Sequence, residues 1–229
     1  MLRQRQPELM DDPALESHEH HLALRGLQRI NHWSKSVKNI WQPIAELARE
    51  IGPIRVLDVA TGGGDIPIGL WQMARQYNLP IRIDGCDVSP VAIAHAKAAA
   101  QRAGADVHFF LADVLLDQFP SGYDVLVASL FVHHLDPAQV VELFRRMAQP
   151  PCRLIVINDL RRSAAALRFT QLGTRMLSRS SVVHVDGPRS VRGAYTIPEI
   201  LELARQGSLT DFTLRPLFPF RYLLTWRRT

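Results

Sequence analysis

Three consecutive glycines, Gly62, Gly63 and Gly64, stand between Asp58 and Asp65 in VLDVATGGGDIP, directly after the strand-forming run 56–59. Glycine lets the backbone turn sharply and approach a ligand closely, so this segment reads as a binding loop at the end of a buried strand. The charges around the glycines narrow the ligand. A dinucleotide sets its pyrophosphate on a helix N-terminus behind a GxGxxG turn, and the carboxylates of Asp58 and Asp65 would repel it. A ligand with an ammonium and a sulfonium and no phosphate, S-adenosylmethionine, suits these acids. Asp87, 23 residues after Gly64, offers acceptors for two ribose hydroxyls, a device that NAD enzymes share. Asp113, in LADV, offers one for an adenine amino group.

Methyl transfer from a sulfonium needs an aligned nucleophile and an acceptor for its proton. A phenol, with a pKa of about 10, needs a base or a positive field to react as phenolate at neutral pH. His133 and His134, in SLFVHHL, follow the fourth strand, where an acceptor molecule would sit, and both are candidates for the base. His18, His20 and His21 with Glu19 come from one short polar stretch without a recognised metal spacing. Asn158 and Asp159 end the fifth strand with no second acidic pair beside them. No metal is expected.

The elements that position these residues follow from periodicity. Between 55 and 159, apolar runs alternate with helical patterns, which predicts strands at 54–60, 81–87, 107–112, 123–129 and 153–158 in a parallel sheet with helices on both faces. Ser89-Pro90 and Asp136-Pro137 open helices, and Gly104 stops the first of these. A helical pattern then covers 161–178, a loop with Gly187-Pro188 follows, and Thr196-Ile197-Pro198 begins another helix. The segment 210–226 reads as two strands around Phe218-Pro219, and helices at 20–30 and 36–50 are expected over one edge of the sheet. The fold class is thus α/β, a doubly wound, mostly parallel seven-stranded sheet. A helical cap occupies 1–50 and the main domain 51–229, divided into a ligand-binding core 51–160, a helical insert 160–206 and a strand pair 208–227.

Composition bounds the partners. The chain has 229 residues, 27 basic against 22 acidic side chains and a net charge of +5. Seven arginines against the single Asp186 give the segment between 160 and 195 a charge of +6, and the remainder of the chain is close to neutral. On the 161–179 helix, Arg161, Arg168, Arg175 and Arg179 form a stripe beside Ala165, Phe169, Leu172 and Met176. That pattern reads as arginine stems bordering a packed face, or as a basic lid with peripheral membrane contact. Cys86 and Cys152 are expected to be reduced core thiols, no stretch approaches a membrane span, and a soluble cytoplasmic protein is expected.

With these residues in hand, the chain over roughly 50–160 resembles the class I S-adenosylmethionine-dependent methyltransferases. Asp58, Gly62 and Gly64 match the family's D/E-x-G-x-G-x-G motif, with Ala60 where the first glycine is expected. GCDVSP matches the ribose motif and LADV the adenine motif. The resemblance implies cofactor contacts from Asp58, Ala60, Thr61, Gly62, Gly64, Asp87, Val88, Asp113, Val114 and Ser129, and S-adenosylhomocysteine as the spent cofactor. PELMDDPALESHEHHLALRGLQRIN, VINDLRRS and HVDGPRSVRGAYTIPEI are similar to small bacterial methyltransferases associated with aromatic, type III polyketide pathways. This second resemblance implies O-methylation of a phenolic product. Arg161 on the basic helix edge, with Arg192 and Tyr195 in SVRGAYT, is expected in a cover over the substrate, and His184 is a further substrate-site candidate. C-methylation of a quinone or lipid precursor is the alternative. A nucleic-acid methyltransferase is disfavoured because SLFVHH stands where an N/D-P-P-Y-like segment would hold a flipped base. A nicotinamide oxidoreductase is disfavoured by the acids, and a non-catalytic cofactor-binding protein is the remaining alternative.

Overall fold

The computed structural model describes residues 1–11, 15–149 and 151–228, with backbone alone described at 11, 17 and 20. The side chain of His20 therefore falls outside the described part. In chain order the elements are α1 (Ser17–Trp33), α2 (Ser36–Ile51), β1 (Ile54–Val59), α3 (Asp65–Gln76), β2 (Ile81–Asp87), α4 (Pro90–Ala103), β3 (His108–Leu111) and β4 (Val125–Ser129). There follow α5 (Pro137–Met147), β5 (Leu154–Leu160), α6 (Ala164–Leu177), α7 (Ser181–Gly193), α8 (Ile197–Gln206), β6 (Thr213–Leu217) and β7 (Arg221–Arg227). The strands form one sheet in the order β3-β2-β1-β4-β5-β7-β6. The first five pair in parallel, and β7 joins β5 and β6 antiparallel.

Alternation along the strands divides the core. Val56, Val125, Val127, Leu154 and Val156 pack against Ile40, Ile44 and Leu47 of α2 and Leu70 of α3. Leu57, Val59, Leu126, Ala128, Ile155 and Ile157 pack on the other face against Val140, Leu143 and Phe144 of α5 and Ile200 of α8. Both faces are covered, which is why these strands read as continuous apolar runs. The chain reverses direction across the sheet at β1, flanked by β2 and β4, so a crevice opens beyond the carboxyl ends of β1 and β4.

Two sequence expectations are corrected here. Gly187-Pro188 lies inside α7 rather than in a loop. A Cβ at Gly187 would meet Thr174 Cγ2 at 2.6 Å and Thr170 Cγ2 at 3.1 Å, so the glycine serves close approach of α6 and α7. Packing thereby overrides the local preference for a break. In addition, α6 starts at Ala164, where the Ala166 N–H donates to Ser163 Oγ at 3.0 Å, and Arg161 stays in a short bridge to Tyr195. Elsewhere the expected and observed elements differ by a few residues at their ends.

The glycine loop is held by sterics as well as conformation. Gly64 has φ +78°, and a Cβ there would sit 2.9 Å from Ala96 Cβ and Phe109 Cζ. Gly64→Ala is expected to lower stability by about 1–3 kcal/mol, read as a lower Tm. An unchanged Tm would mean that the loop relaxes without cost.

Candidate active site

The crevice beyond β1, β2 and β4 holds a cleft of about 620 Å³ lined by Asp58, Ala60, Thr61, Gly62, Gly63, Asp65, Asp87, Val88, Ser89 and Ser129. Ala60 and Leu130, which end the approach from β1 and β4, both have positive φ, 53° and 55°. A side chain in that region costs roughly 1 kcal/mol or more, and such strain gathers where the surrounding structure builds a site. Asp87 ties the loop together: Oδ2 accepts from the Gly62 N–H at 2.8 Å and Oδ1 from the Ser89 N–H at 2.9 Å. Each oxygen of an ionised carboxylate takes two hydrogen bonds, so this same group also suits a ligand diol.

Asp58 is buried at the cleft floor, with Oδ2 accepting from Thr61 Oγ1 at 2.7 Å and Oδ1 without a hydrogen-bond partner among the described residues. Burial, then the nearby carboxylates of Asp65 and Asp87, hold its pKa well above the usual carboxylate range, while the Thr61 bond works in the opposite direction. Burial also raises Asp65, whose Oδ2 accepts from Asn31 Nδ2 at 2.9 Å. Three acids that repel one another around a partnerless oxygen call for a cationic donor. The α-ammonium of S-adenosylmethionine fits that requirement and a diphosphate does not.

Beside the cleft lies a second, apolar chamber of about 130 Å³, framed by Ile30, Trp33, Leu160, Phe169, Leu177, Val182, Val183, Pro219 and Phe220. That volume is on the order of one benzene ring. Glu8, Met10, Leu27, Leu130 and His134 line both spaces, and His133 lines the chamber. The N-terminal strap is seated across α7: the Leu9 and Met10 N–H groups donate to the Asp186 carboxylate at 2.8 and 3.0 Å. Arg3 donates to the carbonyls of Gly193, His133 and Leu135, and Ser190 Oγ donates to Glu8 Oε1.

The histidine pair is ordered by two acids. His133 Nδ1 is 2.6 Å from Asp159 Oδ1, and the His133 N–H donates to Asp159 Oδ2 at 3.1 Å. On its other side, His133 Nε2 faces Glu8 Oε1 at 3.7 Å, and His134 Nε2 faces the same oxygen at 3.9 Å. The two rings lie 4.2 Å apart. Burial by itself would lower the His133 pKa, but the charges and hydrogen bonds of Asp159 and Glu8 outweigh it and raise it to about 10. His133 is therefore an imidazolium at neutral pH.

A raised pKa carries a stability signature. Charged His133 contributes its stabilisation fully below its ordinary value of 6.5, and that contribution is lost as pH rises toward about 10. Unfolding midpoints in denaturant should therefore fall across that window, and the fall should be smaller in His133→Gln. Equal slopes in both proteins would show that the histidine is not the titrating group.

Of the residues marked from sequence for the cofactor, Asp58, Ala60, Thr61, Gly62, Asp87, Val88 and Ser129 line the cleft, whereas Gly64, Asp113 and Val114 do not. Asp113 Oδ1 accepts from the Leu115 and Leu116 N–H groups, and Val114 is core. The four residues marked for substrate lie outside both spaces. Tyr195 is buried with its hydroxyl on the Leu135 carbonyl at 2.7 Å and Arg3 over its ring. His184 Nε2 lies 2.8 Å from the Ser178 carbonyl, the Arg192 carbonyl accepts from the Gln4 N–H, and Arg161 sits near the Phe220 ring. All four brace the cover of the chamber rather than face it.

Sequence reasoning missed Glu8, Trp33, Phe169 and Arg221 as lining residues. Arg221 is buried, and its Nη1 donates to Ser36 Oγ at 2.6 Å and Asn31 Oδ1 at 3.1 Å. Burial pushes its pKa down to about 10, with Asp159 and Asp65 offsetting. An arginine at the start of a largely apolar strand was the available signal.

Residues 56–150 match the family model described as a methyltransferase domain. A demethylmenaquinone methyltransferase of Thermus thermophilus is 34% identical over 115 residues, 49% of this chain and 50% of that protein. The chain thus aligns with about half the length of this curated relative. The apo structure of the methyltransferase SibL superposes with a TM-score of 0.64 at 18% identity, covering 98% of this chain and 63% of that one. Magnesium protoporphyrin IX methyltransferase of Synechocystis, with S-adenosylhomocysteine bound, gives 0.61 at 16% identity over 87% and 84%. An O-methyltransferase family 2 protein of Planctomyces limnophilus, in complex with apigenin, gives 0.57 at 15% identity over 86% and 62%. Residues 56–150 are thus similar to a methyltransferase domain, and the seven-stranded sheet with its helices has the fold of these methyltransferase structures.

Proposed function

We propose that the protein is an S-adenosylmethionine-dependent methyltransferase that methylates a phenolic oxygen of a small aromatic, polyketide-type molecule. The observation that carries this reading is a ring-sized apolar chamber that shares Glu8 and His134 with the acidic cleft beside it and has His133 on its own wall. When bound, the cofactor supplies an electrophilic methyl group on its sulfonium. Asp58 meets the ammonium end, and Asp87 holds the ribose while keeping the Gly62 turn closed. The apolar walls of the chamber orient the ring and exclude water from it. His133, as an imidazolium fixed by Asp159, favours the phenolate over the phenol through its charge. His134 takes the phenolic proton, and Glu8, held by Ser190, orients both imidazoles.

A second reading has specific support. The relative that is 34% identical carries the name demethylmenaquinone methyltransferase, and a hydroquinone ring suits the same apolar chamber. The two readings differ in the atom methylated. Mass analysis together with the NMR shift of the transferred methyl, after incubation with labelled S-adenosylmethionine and a set of alkylresorcinols and hydroquinones, decides between them, with an O-methyl ether of a resorcinol as the expected product. Glu8, His133 and His134 bring potential ligand atoms within 4.8 Å of one another, so the same assay in a chelator is informative. Unchanged turnover is expected, because Glu8 already neutralises His133 and accepts from Ser190. Loss of turnover would assign a metal to this group.

A further inference from the structure

The apolar stripe of α6 does not face the core. Leu172 and Met176 are 65% and 78% exposed, Phe169 is exposed beside them, and Phe218, on the turn between β6 and β7, is 71% exposed. Phe169 and Phe218 join Trp33 and Phe220 in one aromatic cluster, with ring centroids 5.5 to 6.1 Å apart. Trp33, Phe169 and Phe220 also line the apolar chamber, so the exposed patch is continuous with the cavity. Arg168, Arg175 and Arg179 are exposed around the stripe, and the segment 160–185 contains no acidic residue.

We propose that α6 and the Phe218 turn dock on an anionic phospholipid surface, with Leu172, Met176 and Phe218 inserted at the headgroup boundary and the arginines on the phosphates. An amphipathic helix with a basic border and exposed large apolar side chains binds a membrane in its plane. A large contiguous apolar patch on a water-facing surface marks an interaction site. Charge selects the occupant: a second copy packed through this face about a two-fold axis would bring the same arginines against their equivalents, whereas lipid phosphates neutralise them. The geometry also supplies a use, which rests on the proposed apolar acceptor. A ring bearing an alkyl tail enters the chamber from the bilayer past Trp33 and Phe169 while its tail stays in lipid. No helix of the described residues is long and apolar enough to cross a membrane, so the contact is superficial.

Vesicle flotation of the full chain tests this without reference to methylation. Phosphatidylcholine vesicles containing phosphatidylglycerol are expected to carry the protein, and vesicles of phosphatidylcholine alone to carry at least about tenfold less. Added salt should weaken the binding. Bromine-labelled lipid should quench Trp33 fluorescence. Leu172→Glu with Met176→Glu, at two exposed positions that line neither cavity, should reduce binding by roughly tenfold or more with an unchanged Tm. Arg168→Glu with Arg175→Glu should do the same. The Leu172/Met176 variant should keep the wild-type rate on a short-chain acceptor in solution and lose rate on a long-tailed acceptor presented in vesicles. Wild-type protein that fails to float overturns the proposal, as does binding indifferent to lipid charge or to both variants. A concentration-dependent dimer that dissociates in the Leu172/Met176 variant overturns it in favour of a second copy. Vesicle binding that survives with no methylation of any phenol would leave the surface assigned and retire the catalytic reading alone.

Discussion

His134→Ala is expected to lower kcat by about 10²- to 10⁴-fold, the range that a positioned proton acceptor supplies, while calorimetry shows S-adenosylhomocysteine binding retained. His134 lines both the cleft and the chamber, and its Nε2 is aligned toward Glu8. His133 is the less suitable proton acceptor, because Asp159 and Glu8 keep it protonated to about pH 10. Removing His133 would also leave the buried Asp159 carboxylate without its imidazolium, at a cost of roughly 3–5 kcal/mol in stability. Two signatures separate a lost base from a disturbed pocket. The residual rate of His134→Ala should climb with pH as the phenol ionises by itself near pH 10, and a more acidic, nitro-substituted phenol should recover much of the loss. A variant with full rate, or one that neither pH nor acceptor acidity rescues, would retire His134 as the proton acceptor.

The second large effect is expected at Asp87. Asp87→Ala removes the acceptors of the Gly62 and Ser89 N–H groups together with those proposed for the two ribose hydroxyls. Hydrogen bonds to a charged group contribute about 1.5–3 kcal/mol each, so losing both ribose bonds corresponds to a Kd for S-adenosylhomocysteine weaker by roughly 10²- to 10⁴-fold. Titration calorimetry reads this directly. Asp87→Asn, which keeps one acceptor oxygen and the side-chain shape, should fall between the two. Affinity unaltered in Asp87→Ala would place the ribose elsewhere in the cleft.

The lining of the acidic cleft was largely legible because its determinants are local. Asp58, Gly62 and Asp87 sit at strand ends whose periodicity announces them, and the crevice follows from the parallel sheet. Asp113 belonged to the same pattern, yet its carboxylate turns back onto its own loop, a choice between neighbouring donors that spacing does not reveal. Of the apolar chamber, only His133 and His134 were legible. Glu8 meets His133 across 125 positions of chain and Arg221 meets Asn31 across 190, and no period or turn residue encodes such pairings. Tyr195 and His184 drew attention by type, but their polar groups meet the backbone carbonyls of Leu135 and Ser178, which folding would otherwise bury unpaired.

The sequence by itself determined the α/β class, the glycine turn, its acidic surroundings and the preference for a cationic ligand over a diphosphate, since backbone freedom, strand alternation and charge are properties of neighbours in the chain. Tertiary structure alone decided that Gly187-Pro188 stays helical, that the N-terminal strap carries Glu8 to the histidines, and that the apolar stripe of α6 faces outward. Each of those outcomes depends on which surfaces meet when distant elements pack, and a helical period says only that a face exists, not what covers it.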